Sequence, residues 1–283
     1  MFLEPILIIL TIITLLIASY TDIKTREIPD WLNYALLFSA LGIRTIFSIN
    51  HGYQILLSGI LGLAVCFLIA NLFYFTKQWG GGDSKLLMSI GAIIGISYPL
   101  TIQSLNLFFF FLLLLIIGAI YGLIWMLTLA IKHRYLFWPQ FRLKINDNKT
   151  THYILIFLSL TFLIITIFLP LLWPLILLPL FFFYLLLFIL IIEQTFFYKE
   201  ISPNNLTEGD WLAEEVINNN FTIMKPKTLE KSDILKLQLL YQHHKLKTVL
   251  IKEGIPFVPS FLISYLLLII FLRINPVNTN FLT

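Results

Sequence analysis

The chain of 283 residues has one cysteine, Cys66, and only 12% charged residues. A single cysteine excludes a disulfide framework and a cysteine-based zinc site. The five histidines lack the spacing of a ligand set, so the sequence predicts neither a metal nor a cofactor. Hydrophobic residues make up 59% of the chain, and the mean hydropathy is +0.90. A soluble domain cannot bury so much apolar surface, so we expect a polytopic α-helical membrane protein.

Apolar runs that cross a bilayer as helix need about 20 residues. Such runs predict about eight transmembrane helices, near 2–21, 31–49, 53–75, 86–101, 105–131, 153–169, 175–192 and 255–272. The fourth run is short and begins inside a glycine segment. The sixth and seventh form one apolar stretch that prolines interrupt, so it is either a kinked single span or a hairpin of two.

The distribution of lysine and arginine residues decides between one span and two spans in this stretch. With eight spans, 17 of the 19 basic residues fall on one side, which the positive-inside rule makes cytoplasmic. With seven spans, the basic residues of 193–254 would move outside. We therefore expect eight spans in the cell membrane, both termini outside, and a cytoplasmic location for 132–152 and 193–254.

The spans and loops predict three regions. Residues 1–192 form a transmembrane core, 193–254 a small cytosolic α+β insert, and 255–283 the last transmembrane helix with an outer C-terminus. In the insert, "SDILKLQLLYQHH" predicts a short helix with a Ser or Asp N-cap, "LKTVLI" a strand, and "LTEGDWLAEEV" a turn or helix cap leading into another helix.

The loop 132–152 is basic and aromatic. This composition is typical of a segment at the membrane surface, where basic residues meet lipid headgroups and aromatic rings form a belt. We therefore expect the lipid bilayer, and not a nucleic acid, as its partner.

Two aspartates lie where predicted spans meet the cytoplasm. Asp22 ends the first span in "YTDIKTREIPDWLN", and Asp83 opens the fourth in "GGGDSKLL". Ionisable groups at this depth are costly and are functional candidates. Two carboxylates that meet can perform aspartic proteolysis, because one takes a proton from water while the other, protonated, polarises the scissile carbonyl. Taken singly, Asp22 also fits a juxtamembrane acid and Asp83 a helix N-cap.

The three glycines before Asp83 permit positive φ and close approach of the backbone. We expect Gly80, Gly81 and Gly82 to let a helix begin abruptly at membrane depth and to bring Asp83 toward Asp22. Irregular backbone at that depth requires a surrounding of protein or a water-filled cavity. Lys85 either balances the charge of the site or extends to the interface.

These residues resemble the prepilin peptidases. "GGGDSKLL" is similar to the family's G-x-G-D-x-K pattern, with Gly80, Gly82, Asp83 and Lys85 in the motif positions. "TDIKTREIPDWLN" is similar to the family's first aspartate region, and "KEGIPFVPSFLI" (252–263) to its late I-P-F-x-P segment. The three stretches cover about 35 residues in the family's order.

The resemblance implies an aspartic endopeptidase of the GxGD type, in the type IV prepilin or archaeal preflagellin class. Asp22 and Asp83 would be its catalytic pair, with Gly80, Gly82 and Lys85 in support. Such enzymes cut short basic leaders, the class III signal peptides, from pilin-like or archaellin precursors at the cytoplasmic face of the membrane.

One difference separates this chain from the bacterial members. Those that also methylate the new N-terminus carry an insert near the first aspartate, often with Cys-x-x-Cys pairs. Here eight residues separate Asp22 from Trp31, and such cysteines are absent. The arrangement looks more like the archaeal branch, and methylation is not expected.

Three other functions remain as alternatives. An intramembrane protease of the presenilin or signal peptide peptidase type should have a Tyr-Asp context and a Pro-Ala-Leu segment, but Asp22 follows Thr21. A transporter using two carboxylates should show broken helices in both halves, yet the proline-rich break at 170–179 carries no acid. A structural protein with an inactive site is excluded only by activity.

Overall fold

A computed structural model describes residues 3–76, 78–218, 221–243 and 246–274. The predicted outer C-terminus beyond Ile274 lies outside these ranges. The chain divides into two compact units, Met1–Leu123 with Ile255–Thr283 and Ile124–Gly254. This division falls before 132–152, whereas the predicted regions separate at residue 192.

The described residues are mostly helical. The helices are α1 (Leu3–Thr25), α2 (Asp30–His51), α3 (Gln54–Phe75), α4 (Gly81–Ile94), α5 (Leu105–Lys132), α6 (Arg134–Asp147), α7 (Lys149–Phe168), α8 (Leu178–Ile192), α9 (Lys231–Gln242) and α10 (Val258–Ile274).

Six of the described stretches are long and apolar enough to cross a membrane. They are Leu3–Thr25, Asp30–His51, Gln54–Phe75, Ile102–Lys132, Lys149–Phe168 and Leu178–Phe197. They correspond to six of the eight apolar runs and agree with a polytopic membrane protein. The remaining two runs form the shorter helices α4 and α10, so the count of eight spans stays a prediction.

The fourth run differs from its predicted bounds of 86–101. Helix α4 begins at Gly81 and ends at Ile94, where Gly95 takes a φ of 74°. A glycine in this left-handed conformation is a common helix stop, and hydropathy does not register it. With 14 residues, α4 is about 21 Å long, shorter than the hydrocarbon core of about 30 Å. If the C-terminal end of α4 reaches the opposite membrane surface, the first turn of α4 therefore lies within the thickness of the membrane.

Small residues bring α3 and α4 together. Gly62 and Cys66 of α3 lie on the face that α4 covers, and a Cβ built at Gly91 would lie 2.6 Å from Cys66 and from the Gly62 carbonyl. Packing of this kind lets helix backbones approach closely without a hydrophobic driving force. It makes α4 the central helix of the first unit, with Leu86, Leu87 and Ile90 fully buried.

The proline-rich stretch forms two helices and not one kinked helix. A 3₁₀ segment, Pro170–Leu175, joins α7 to α8. His152 near the start of α7 lies 2.7 Å from the Tyr184 hydroxyl of α8 and stacks on Phe183. The two helices therefore form an antiparallel hairpin, as the eight-span interpretation requires.

The segment 193–254 contains both strands and a helix. Its strands are β1 (Tyr198–Ile201), β2 (Trp211–Leu212), β3 (Val216–Asn218), β4 (Phe221–Met224) and β5 (Val249–Lys252). An antiparallel sheet has the order β1-β5-β2, and β3 and β4 form a separate hairpin. Helix α9 packs Leu237 into a core with Leu212 and Ile251.

Helix α9 and strand β5 confirm two of the local predictions for this segment. The predicted helix after "LTEGD" is wrong, because Trp211 and Leu212 pair with β5 and because Gly209 makes a turn with a φ of 103°. The N-cap of α9 is Glu230, not Ser or Asp. Asp233 acts instead from the third helical position, where its carboxylate accepts the N–H of Glu230 at 3.1 Å. The loop 132–152 is largely helical as α6.

Candidate active site

Asp22 lies in the last turn of α1, close to where that helix ends. Arg26 takes a φ of 62° just beyond the helix, so the chain turns sharply after donating the Arg26 N–H to the Asp22 carbonyl. The Asp22 side chain is buried, with 7% of the residue exposed. Its Oδ2 accepts the backbone N–H of Val258 at 2.9 Å. The carboxylate is thereby bound to the first residue of α10, which lies far away in sequence.

Asp83 lies in the first turn of α4. Gly80 is the N-cap of this helix, so Asp83 is its third residue and not the N-cap. Its carboxylate lies close to Gly80, where a Cβ would be 3.6 Å from Asp83 Oδ2. A carboxylate at this position also interacts favourably with the positive end of the helix dipole.

The structure brings the two aspartates of the sequence prediction together. Helices α1 and α4 are in contact, and the negative charge of Asp22 acts on the carboxylate of Asp83. Like charges at short range disfavour simultaneous ionisation, so a pair of this kind tends to share one proton. That state supplies one proton acceptor and one proton donor, as general acid–base catalysis requires.

The glycine segment approaches α2 and the loop before it. The φ of Gly80 is −70°, and neither Gly81 nor Gly82 has a positive φ, so the conformational part of the expectation is wrong. Close approach of the neighbouring segment explains the glycine at position 82, because a Cβ there would lie 3.2 Å from the side chain of Ile28. The Gly82 carbonyl also accepts a hydrogen bond from Asn33 Nδ2 at 3.4 Å.

Lys85 forms an ion pair with the start of α2. Its Nζ lies 2.6 Å from Asp30 Oδ1 and 5.7 Å from the centre of the Tyr34 ring. The lysine therefore links the first turn of α4 to the first turn of α2. Asp30 is thus joined to the segment that carries Asp83.

Several residues near the aspartates were not found by the sequence analysis. Asn33 is 1% exposed and also accepts the hydroxyl of Ser89 through its carbonyl, so it connects α2 to α4 at two points. In the sequence, Asn33 is indicated by its polar side chain about one helical turn after Asp30. Tyr121 of α5 lies near enough to Asp22 to interact with its charge, and no feature of the sequence distinguished it from its neighbours.

Within the described residues, no group of three or more His, Cys, Asp or Glu side chains is arranged to hold a metal ion. The described residues bring two carboxylates to the site, and the backbone amide of Val258 donates to one of them.

Comparison with known proteins gives matches in the same part of the chain. Residues 9–123 match the model of the type IV leader peptidase family. This range contains both aspartates, the glycines and Lys85, and it ends where the first compact unit breaks at Leu123.

Two relatives illustrate the likeness. The preflagellin peptidase of Methanococcus voltae is 32% identical over 145 residues, which are 50% of this chain and 60% of that protein. The preflagellin peptidase of Methanocaldococcus jannaschii is 40% identical over 83 residues, which are 29% of this chain and 35% of that protein. The chain thus matches between about a third and three fifths of these relatives. No solved structure matches the chain.

Proposed function

We propose that the chain, whose residues 9–123 match the model of the type IV leader peptidase family, is an aspartic endopeptidase that cuts leader peptides from archaellin-like or pilin-like precursors. The family match confirms the resemblance inferred from the sequence. The observation that carries the proposal is that the matched range contains two acids, Asp22 and Asp83, on helices that are in contact within one unit. The relatives from archaea agree with the preflagellin branch.

In the proposed reaction, a water molecule lies between the two carboxylates. The ionised aspartate accepts a proton from the water as its oxygen attacks the scissile carbonyl. The protonated aspartate donates a hydrogen bond to the carbonyl oxygen, which becomes negatively charged in the tetrahedral intermediate. Transfer of a proton to the leaving nitrogen then breaks the peptide bond, and the pair returns to its singly protonated state.

The proposed substrate has a short basic leader followed directly by a hydrophobic helix. The helix would enter the bilayer beside the spans, so that the cleavage site stays near interface depth at the cytoplasmic face. Glu27, an exposed acid close to Asp22, would attract the basic leader from the cytosol. Both the orientation and the substrate preference are part of the proposal.

The test is cleavage of an archaellin-like precursor by membranes that contain the chain. Asp22→Asn and Asp83→Asn should each lower the rate by about 10² to 10⁴, because asparagine cannot exchange a proton with water. Asp147→Asn is the matched control, since Asp147 is an exposed acid at the end of α6. Cleavage near the wild-type rate by either variant of the pair would refute the aspartic mechanism.

The leader itself provides a second test. Replacing the basic residues of the leader with acidic ones should strongly reduce processing, because an acidic leader would be repelled by Glu27 and by the ionised member of the pair. Equal cleavage of the two precursors would indicate a general protease. Cleavage inside the hydrophobic helix, located by mass spectrometry of the products, would instead indicate an intramembrane protease.

A further inference from the structure

The backbone at the start of α10 is bound to Asp22. The N–H of Val258 is 2.9 Å from Asp22 Oδ2. Pro259 follows and has no N–H. The N–H of Ser260 is already bonded to the carbonyl of Phe257 at 3.0 Å. The first turn of α10 therefore offers its available donor to Asp22.

The ring of Phe257 holds this backbone in place. Its centre lies 5.6 Å from that of Trp79 and 5.7 Å from that of Phe261. On the side of α5, a Cβ built at Gly118 would lie 2.6 Å from the edge of the same ring. Glycine at position 118 thus leaves the space that the Phe257 ring fills.

The same ring contacts the segment that carries the other aspartate. Trp79 packs against Phe257 with the two rings tilted by 44°, and it directly precedes Gly80, the N-cap of the helix that carries Asp83. Phe257 directly precedes Val258, whose N–H is bonded to Asp22. One aromatic contact therefore joins the backbone segment that binds Asp22 to the turn that precedes Asp83.

We propose that Phe257 and Val258 are positioning residues for the catalytic pair. The Val258 amide orients Asp22, and the packing of Phe257 between Trp79 and Gly118 fixes that amide relative to the turn that carries Asp83. This inference rests on the proposed function, because it assigns a role in the reaction of the same two carboxylates. It extends that function to a part of the chain outside the matched range 9–123.

The first experiment removes the amide donor at the first position of α10. Val258→Pro eliminates one N–H at the first position of α10, where proline is well tolerated. Val258→Ala is the matched control, since it shortens the side chain and keeps the N–H. Hydrogen bonds to charged groups are stronger than those between neutral groups, so the loss of this one should reduce kcat/KM by about 10-fold to 100-fold at neutral pH.

The pH profile separates positioning from mere folding. A carboxylate that loses a donor keeps its proton to higher pH, so the acidic limb of the kcat/KM profile of Val258→Pro should move upward by about one pH unit. A variant that only folds less well should have a lower kcat/KM at every pH, with the same pH dependence as the Val258→Ala protein. Identical profiles for the two variants would overturn the inference.

The second experiment tests the packing and does not depend on proline. Gly118→Ala should push the Phe257 ring toward Trp79 and lower kcat at matched protein level. Gly122→Ala is the control one turn along α5, where a Cβ would lie 3.9 Å from Ile255, an ordinary contact. Phe257→Leu, added to Gly118→Ala, should restore part of the lost activity because the smaller side chain leaves room for the new methyl group.

Equal activity of Gly118→Ala and Gly122→Ala, or no restoration in the double variant, would overturn the packing role of Phe257. The wild-type protein distinguishes this failure from failure of the proposed function. If the wild type cleaves the precursor and Asp22→Asn does not, the function stands whatever these variants show. If the wild type cleaves no precursor, the function itself fails.

Discussion

Lys85 Nζ lies 2.6 Å from Asp30 Oδ1, so the lysine of the "GGGDSK" segment pairs with the first residue of α2. Asp30 belongs to the "IPD" segment that follows Asp22 along the chain. The two stretches that carry the aspartates are therefore joined by an ion pair on their exposed side as well as by Asn33 on their buried side. Through this ion pair Lys85 connects helices α2 and α4.

The first prediction concerns this ion pair. Both side chains are partly exposed, 36% for Lys85 and 58% for Asp30, and pairs of this kind contribute about 0 to 1 kcal/mol. Lys85→Ala and Asp30→Asn should therefore reduce precursor processing by less than about 10-fold. The exchanged variant, with Asp30→Lys and Lys85→Asp together, should process more than either charge-reversed single variant. If Lys85→Ala is as inactive as Asp83→Asn, Lys85 has a role in the reaction itself.

The second prediction distinguishes two neighbouring glycines. A Cβ at Gly82 would lie 3.2 Å from Ile28, whereas a Cβ at Gly81 would lie 3.8 Å from Tyr74, an ordinary contact. Gly82→Ala should displace the first turn of α4 and reduce processing several-fold or more. Gly81→Ala should process at a rate close to that of the wild type. Similar rates for the two alanine variants, at equal amounts of protein in the membrane, would contradict the close-approach explanation for Gly82.

The sequence predicts that Asp22 and Asp83 lie on one side of the membrane, and the contact between α1 and α4 agrees with their proximity. It was not sufficient to predict what holds them. The bond between Asp22 and Val258 joins residues 236 positions apart, and no local pattern encodes a backbone amide as the partner of a side chain. The sequence singles out Gly82, but glycine is favoured there because Ile28 lies close by, and not because of the backbone conformation at position 82.

The errors in the insert and at α4 have related causes. "LTEGDWLAEEV" has a local pattern that favours a helix, but pairing of Trp211 with Lys252 of β5 makes its centre a strand. Tertiary context commonly overrides local propensity in short strands. The end of α4 was placed too late because apolar residues continue beyond Gly95, whose left-handed conformation ends the helix.

The third prediction concerns the pH dependence of the insert. The hydrogen bond from Lys227, whose Nζ lies 2.7 Å from Asp233 Oδ2, holds the pKa of Asp233 below its ordinary value. A carboxyl with a lower pKa in the folded state stabilises the fold above its unfolded pKa of about 3.9, and this contribution is lost as the pH falls through the folded value. The segment around α9 should therefore open more readily in acid.

Hydrogen exchange on the full chain in detergent measures this effect. After correction for intrinsic exchange rates, protection of α9 should fall as the pH is lowered below about 4. In Asp233→Asn this acid-dependent loss should be smaller, because asparagine does not titrate, and protection at neutral pH should be lower than in the wild type. An unchanged acid response in Asp233→Asn would assign the pH dependence to other groups.

The fourth prediction concerns orientation in the membrane. With eight spans, the charge distribution predicts that 132–152 and 193–254 are cytoplasmic and that both termini are outside. Single cysteines for labelling require a background without Cys66, which is buried beside Gly91, so Cys66→Ala is the appropriate parent. In intact cells, cysteines at Asn148 and Glu214 should not react with a membrane-impermeant reagent.

Two outer positions complete the topology experiment. Leu100 lies in the connection between α4 and α5, where it is 77% exposed, and a cysteine there should be labelled from outside. A cysteine at Phe281 should also be labelled, and the two cytoplasmic positions should react once the cells are permeabilised. Labelling at Glu214 in intact cells would mean that α7 and α8 together do not return the chain to the cytoplasm. The eight-span orientation would then be wrong, although Asp22 and Asp83 would still share one side of the membrane.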